Sequence, residues 1–338
     1  MSTLQATNLK HGSSASNNIV LDASGNVTFA GTPIPSSTFL RNRIINGGVA
    51  IDQRNAGAAQ TFTAAAALAY SVDRWYGYCT GANVTGQRVT GSAANTFRYQ
   101  FPGAPSVTAI GFGTRIEALN PADLVGSTCT LSVDLANNML TTVTWTAFYA
   151  NTTDTFGTLA SPTRTQFATG TFAVTGTVTR YSTAISVPAA ATTGIEIVFT
   201  VGAQTSGTWD IGNVQFEPGS AATPFERRQY GQELALCQRY YYQSPKTNVT
   251  GSGGWGTMYN TTGGRVWFPL AVTMRADPTV TTSGTTFEYI AVSTATMTVA
   301  SVFVAPHVVT FDGTGGPATG ALGRPFSYNG TVQAAAEL

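Results

Sequence analysis

The chain has little charge. Of 338 residues only 17 are Lys or Arg and 16 are Asp or Glu, which makes 10% charged, against roughly a quarter in ordinary soluble domains. No cluster of Lys and Arg stands out, so the electrostatic footprint of a nucleic-acid binder is missing. Cysteine is scarce and odd in number: Cys79, Cys129 and Cys237 stand alone, with no C-x-x-C or Cys/His spacing. That excludes a zinc site or a disulfide framework and leaves buried free thiols as the expectation. There is no apolar run long enough to span a bilayer; the alanine run at 64–67 is far too short. The polar N-terminus lacks the apolar core of a signal peptide.

Catalytic signatures are also missing. The two histidines, His11 and His307, lie near neither a G-x-S-x-G nor another nucleophile setting, so a hydrolase triad is not indicated. Phosphate loops of the G-x-x-x-x-G-K-[ST] or G-x-G-x-x-G kind are absent. Glycosidase chemistry needs two carboxylates at a defined separation. The candidates are Asp52, Asp73, Glu117, Asp123, Asp134, Asp154, Glu196, Asp210 and Glu217, and their separations do not follow from sequence. Asp73-Arg74 reads as a structural charge pair, and Glu226-Arg227-Arg228 as the electrostatics of a helix start. No cofactor is expected. Without an Asp-x-Asp-x-Asp loop no metal site is named, although jelly rolls sometimes hold a structural calcium ion.

What takes the place of charge is Thr, Ser, Ala, Gly and Asn. Thr favours strands, and Gly, Asn and Ser favour turns. With 18 Phe, 13 Tyr and 5 Trp the chain is too aromatic for disorder. The composition is all-β. A net charge of +1 favours association, so copies of the same chain are expected to cover much of the surface.

Three units follow. Residues 1–40 contain a hairpin over 18–29, which is marginal alone, and a linker over 32–38. Residues 41–230 hold strands at 44–52, 70–78, 84–90, 96–101, 108–118, 128–135, 142–149, 171–175, 178–187, 194–201 and 208–217, a pattern that predicts an antiparallel jelly-roll β-sandwich. Within it Val143, Trp145, Ala147 and Tyr149 share one strand face, and Ile195, Ile197, Phe199 and Val201 share another. Residues 231–338 open with a short helix presenting Leu234, Leu236, Cys237 and Tyr240 on one face. They continue as a β-rich tip, with strands expected between Tyr289 and Ala305 and from Phe326 to Leu338. No internal repeat is present, which argues against a solenoid or β-helical spike.

Aromatic clusters are the candidate binding residues, because sugars stack their apolar ring faces on exposed aromatic rings. Trp75 lies in YSVDRWYGY. Trp255, Tyr259 and Trp267 lie beside the Gly-rich loops at 251–254 and 262–264, where a rigid scaffold would display them. Tyr240, Tyr241 and Tyr242 are expected to pack the junction after the helix.

Three ordered segments resemble bacteriophage tail-fibre and related virion proteins: LQATNLKHGSSASNNIVLDASGNVTFAGT (4–32), LRNRIINGGVAIDQRNAG (40–57) followed by YSVDRWYGY (70–78), and ATPFERRQYGQELALCQRYYYQ (222–243). The last ~95 residues match only loosely, through GRVWFPLAVTMRADPTV (264–280). The resemblance implies a structural role on the virion (tail or another surface appendage) and a homotrimer made in the host cytoplasm. It implies attachment to other tail or baseplate proteins through residues 1–40, and non-catalytic binding of a host-surface glycan by the distal part. Two other roles stay open: a head-fibre, decoration or baseplate component, and a hydrolase of surface polysaccharide. The central sandwich is expected to be of the carbohydrate-binding-module kind.

Overall fold

The computed structural model describes residues 8–13, 15, 17–21, 27–29, 32–33, 40–65, 67–91, 96–244, 255–260, 263–289, 298–314 and 325–338. Near the N-terminus β1 (Asn8–Leu9), β2 (Ile19–Leu21), β3 (Val27–Phe29) and β4 (Thr32–Pro33) form one antiparallel sheet in that order. The hairpin is β2–β3, with Ile19 opposite Phe29 and Leu21 opposite Val27.

Twelve strands build the sandwich: β5 (Gln60–Phe62), β6 (Ala69–Tyr70), β7 (Trp75–Thr80), β8 (Val84–Thr90), β9 (Phe97–Pro102), β10 (Ala109–Ile116), β11 (Thr128–Asn137), β12 (Thr142–Ala150), β13 (Arg164–Ala173), β14 (Thr179–Ser186), β15 (Ile195–Val201) and β16 (Thr208–Pro218). They pair antiparallel into two six-stranded sheets, β13-β12-β15-β10-β7-β6 and β14-β11-β16-β9-β8-β5. Consecutive strands fall in different sheets at several points, as a jelly roll requires. β16, the strand read from Thr208 onward, lies between β9 and β11.

The inner faces supply the core. Val143, Trp145, Ala147, Ile195, Ile197, Phe199 and Val201 are all buried there. An aromatic stack runs through it. Trp75 lies on Phe112 at 4.9 Å, Phe112 on Tyr99 at 4.6 Å, and Phe101 on Trp209 at 5.2 Å. Such offset stacks add to the hydrophobic term about 0.5–1.5 kcal/mol per pair.

The expected strand 70–78 is broken by a turn at 71–74 into β6 and β7, and two further strand expectations fail. Residues 44–52 are a loop, not a strand. Val214 donates its amide to Gly47 O, and Asn42 binds Val214 O through Nδ2 and the Phe216 amide through Oδ1. The backbone of Gly47 approaches so closely that a Cβ there would sit 2.0 Å from Val214 O. Side chains thus take the hydrogen bonds a ladder would have offered. The second failure is β13, which begins at Arg164, well before the expected 171. It is an edge strand with only Phe172 fully buried, so it lacks the alternation that marks a half-buried strand.

The third part contains α1 (Tyr230–Gln238), then β17 (Tyr241–Gln243), β18 (Trp255–Met258), β19 (Gly263–Pro269), β20 (Thr279–Tyr289), β21 (Thr298–Ala305), β22 (Val308–Thr314) and β23 (Pro325–Ala335). One antiparallel sheet runs β17-β23-β18-β19-β22-β21, and β20 takes the other side of β23. Its core holds Val266, Phe268, Met274, Val309, Phe311, Val332 and Ala334.

α1 is too short to persist alone. It buries Cys237, and Tyr240 just beyond it, while Leu234 and Leu236 are half-buried. The chain end returns to the same junction: Tyr70 donates its hydroxyl to Leu338 O at 3.0 Å, and Glu337 pairs with Arg54 and Arg74. Tyr240 packs under the Arg74 guanidinium at 3.6 Å and Tyr241 under that of Arg54 at 3.6 Å, while Tyr242 packs against the C-terminal core instead. Among the described residues no helix is long and apolar enough to cross a membrane.

Candidate functional site

β19 alternates cleanly. Gly264, Val266 and Phe268 face the core, so Arg265, Trp267 and Pro269 face outward. Register carries the outer face across the sheet. Trp267 stands opposite Thr310 of β22, which stands opposite Phe303 of β21, and the Trp255 backbone pairs with Trp267 on the other side. The row Trp267–Thr310–Phe303 is therefore continuous, with Trp267 43% and Phe303 52% exposed. The two exposed rings flank Thr310 on one face of the sheet, an arrangement that can hold a ligand's apolar faces.

Charge is fixed beside this row. Arg265 donates Nε and Nη2 to Asp312 Oδ1 and Oδ2 at 2.6 and 2.7 Å, and its guanidinium lies 5.3 Å from the Phe303 ring. Asp312 holds Arg265 in its charged form, pushing its pKa upward. A bidentate pair keeps both polar groups in fixed orientation, which is what hydrogen-bonding to a ring hydroxyl needs. Tyr259 is 49% exposed, and its ring crosses Gly263 at the start of the same strand.

The expected residues thus separate. Tyr259 and Trp267 are exposed on or beside this face. The Trp255 side chain lies outside the described residues. Trp75 is fully buried, stacked on Phe112, with Nε1 donating to Asn46 O at 2.9 Å, so it offers no ring face to a ligand. Phe303, Arg265 and Asp312 were not singled out from sequence. Arg265 and Trp267, two apart in GRVWFP, carried the signal, since strand alternation places them on one face.

The outer face of the sandwich sheet is closed by ion pairs. Glu196, fully buried, accepts Tyr76 Oη at 2.6 Å and Arg115 Nε at 2.7 Å, and pairs with Arg164. Burial pushes the Tyr76 phenol upward. Glu196 stands on the face opposite Ile195 and Ile197, yet it is buried because two arginines and a tyrosine cover it.

Other carboxylates are similarly engaged. Glu217 accepts Arg41 Nε and the amide and hydroxyl of Thr223. Asp73 does not pair with Arg74; it accepts from Gln53, while Arg74 turns to Glu337. Nor does Glu226 begin the helix: it accepts the amides of Leu40 and Asn42, and Glu233 occupies the first turn. His11 and His307 are both exposed. Cys79, Cys129 and Cys237 are buried and unpaired with one another, and burial raises each thiol. Among the described residues no three His, Cys, Asp or Glu side chains gather as a metal site would need.

No protein-family model matches the chain, and no curated protein matches its sequence. Solved structures similar to it include a family 11 carbohydrate-binding module from Clostridium thermocellum in complex with a β-1,3-1,4-mixed-linked tetrasaccharide, at 12% identity over 50% of this chain and 100% of that chain, TM-score 0.31. A second is the enzymatically active domain of tailspike protein 4 of bacteriophage CBA120, at 18% identity over 53% of this chain but only 21% of that chain, TM-score 0.35. A third is a family 61 carbohydrate-binding module in complex with β-1,4-galactotriose, at 10% identity over 53% of this chain and 99% of that chain, TM-score 0.28. The sandwich itself rests on the strand registers given above.

Proposed function

We propose that the chain is a virion protein of the phage tail-fibre kind that holds host-surface glycans without cleaving them. The observation that carries the glycan reading is the exposed Trp267–Phe303 row with the Arg265–Asp312 pair fixed beside it. A pyranose presents an apolar face to such rings and its hydroxyls to such a pair. Trp267 keeps 43% of its surface open; covering it removes about 100 Å² from water, at most about 3 kcal/mol per subunit.

That is weak binding for one copy. Three copies on a trimer, with several trimers on a particle, turn weak sites into durable attachment. The homotrimer is supported by the low charge of the chain and by the exposed Val302 and Val304, which alternate with Phe303 onto the other face of β21, features that favour association. Residues 1–40 serve as the attachment segment to other virion proteins. The non-catalytic part of the reading is supported by the engagement of Glu117, Glu196 and Glu217 in ion pairs, since hydrolysis needs carboxylates free to move protons.

The test is a screen of the intact chain on an array of bacterial surface polysaccharides, with an assay for new reducing ends on whatever is retained. Retention without release is expected. Release of reducing ends, or retention of no glycan, overturns the reading.

A further inference from the structure

A second site lies elsewhere and shares no residue with the Trp267 row. It is a cleft of about 740 Å³, within the range of small-molecule sites. One wall is the loop from Asn46 to Ala56. The others are Arg88 of β8, Phe97 of β9, and the stretch Phe225–Glu233 leading into α1. The loop is strained: Asn46, Val49 and Ala56 have φ of 56°, 47° and 51°, in a region that L side chains avoid and a β-branched Val avoids most. Such strain is held in place only by surrounding contacts and clusters at ligand sites.

The polar groups of the cleft do not balance. Its acceptors are engaged within the wall. Glu226 takes the amides of Leu40 and Asn42. Glu233 takes the amide of Asn46 and the guanidinium of Arg228, and Asp52 takes the amides of Asn55 and Gly57. Donors remain. Arg227 is exposed and makes no ion pair among the described residues; it lies 5.5 Å from the Phe225 ring. The side chain of Arg228 is 6% exposed, yet its Nε has no partner. Gln229 at the start of α1 provides no side-chain cap, which leaves the first helical amides open. Beside these donors stand the rings of Phe225, half-buried, and Tyr230, 67% exposed.

An unpaired exposed guanidinium, engaged acceptors, the open ring of Tyr230 and the half-buried ring of Phe225, which also packs on Gly48, select a ligand with an apolar ring face and its own anionic acceptor. We propose that this cleft binds an acidic saccharide of the uronate class, with its ring against Phe225 and Tyr230 and its carboxylate on Arg227. A neutral sugar would make no charge-assisted contact with the Arg227 guanidinium, and a bare anion would leave the rings uncovered. This site does not depend on the glycan reading of the Trp267 row, and its test separates the two.

The intact chain is titrated calorimetrically with trigalacturonate, with a hyaluronan tetrasaccharide and with neutral galactotriose. At least one acidic probe is expected to bind, about tenfold or more tighter than galactotriose, as one charge-assisted contact provides. Arg227→Gln and Tyr230→Ala, both at exposed positions, are each expected to weaken it by about tenfold while Trp267→Ala leaves it unchanged. Affinity should also fall with added salt. The proposal is overturned if neither acidic probe binds, if galactotriose binds equally well, or if Arg227→Gln has no effect.

Discussion

Arg239 clasps Glu117 with two parallel hydrogen bonds, Nε to Oε2 at 3.0 Å and Nη2 to Oε1 at 2.9 Å, tying the end of α1 to the end of β10. Tyr240 adds its hydroxyl to the same carboxylate at 2.7 Å. Burial alone would raise the Glu117 pKa; the hydrogen bonds from Arg239 and Tyr240 and the charges of Arg239 and Arg275 outweigh it and hold it below the usual range. The side chain of Glu117 is 5% exposed and that of Arg239 33%. The two partners should therefore not be equivalent. Glu117→Ala strands a buried phenol and two guanidinium groups, and about 3 kcal/mol of destabilisation is expected. Arg239→Ala leaves Glu117 with Tyr240 and Arg275, and about 1 kcal/mol is expected. Denaturant unfolding of both single variants and the double variant checks this; equal losses would contradict it.

Gly111 is required by Tyr78. A Cβ at Gly111 would lie 2.1 Å from the Cζ of that ring, so the tyrosine lies flat over the glycine. Gly111→Ala should cost about 1–3 kcal/mol through this clash. Tyr78→Ala removes the ring, so the double variant should lose less stability than the two single losses added together. Simple additivity in thermal unfolding would refute the contact.

Stability should depend on pH through Asp73. Burial raises its pKa to about 7, against the hydrogen bonds of Gln53 and the charge of Arg54. A folded-state pKa above the unfolded one stabilises the fold at low pH, and that contribution is lost as pH rises toward 7. Glu117, Asp123 and Glu217, with lowered pKa values, act in the opposite sense, and their contribution is lost in acid below the ordinary carboxylate range. The melting temperature should therefore be higher near pH ~5 than near pH ~7.5, and Asp73→Asn should remove most of that difference. An unchanged difference in the variant would assign the effect elsewhere.

The trimer is tested by mass. Sedimentation equilibrium at micromolar concentration should give three times the chain mass of 35.2 kDa. A stable single-chain species would remove the avidity argument.

The sandwich was largely legible because half-buried strands announce themselves by alternation. Thr128–Asn137 and Ile195–Val201 fall within two residues of their sequence reading. Residues 44–52 were misread because Asn42 and Gly47 replace ladder hydrogen bonds by side-chain and loop contacts to β16, which no local period encodes. Trp75 and Trp267 show the limit for sites. Both sit in strands, β7 buried on both faces over its first residues and β19 alternating, and composition cannot say which face meets a second sheet. Trp75 meets Phe112; among the described residues Trp267 meets no second layer, and its half-open ring is visible only once the C-terminal sheet is assembled. The cleft beside Arg227 joins segments more than 100 residues apart, which sequence spacing does not bring together.

The most direct measurement compares the intact chain with Trp267→Ala on the glycan that the intact chain retains best. Because Trp267 is exposed, the variant should melt within about 1 °C of the parent. Its affinity for the glycan should fall about tenfold or more, as expected for loss of one stacking ring, with no reducing ends released by either protein. Undiminished binding by a folded Trp267→Ala variant would contradict the account.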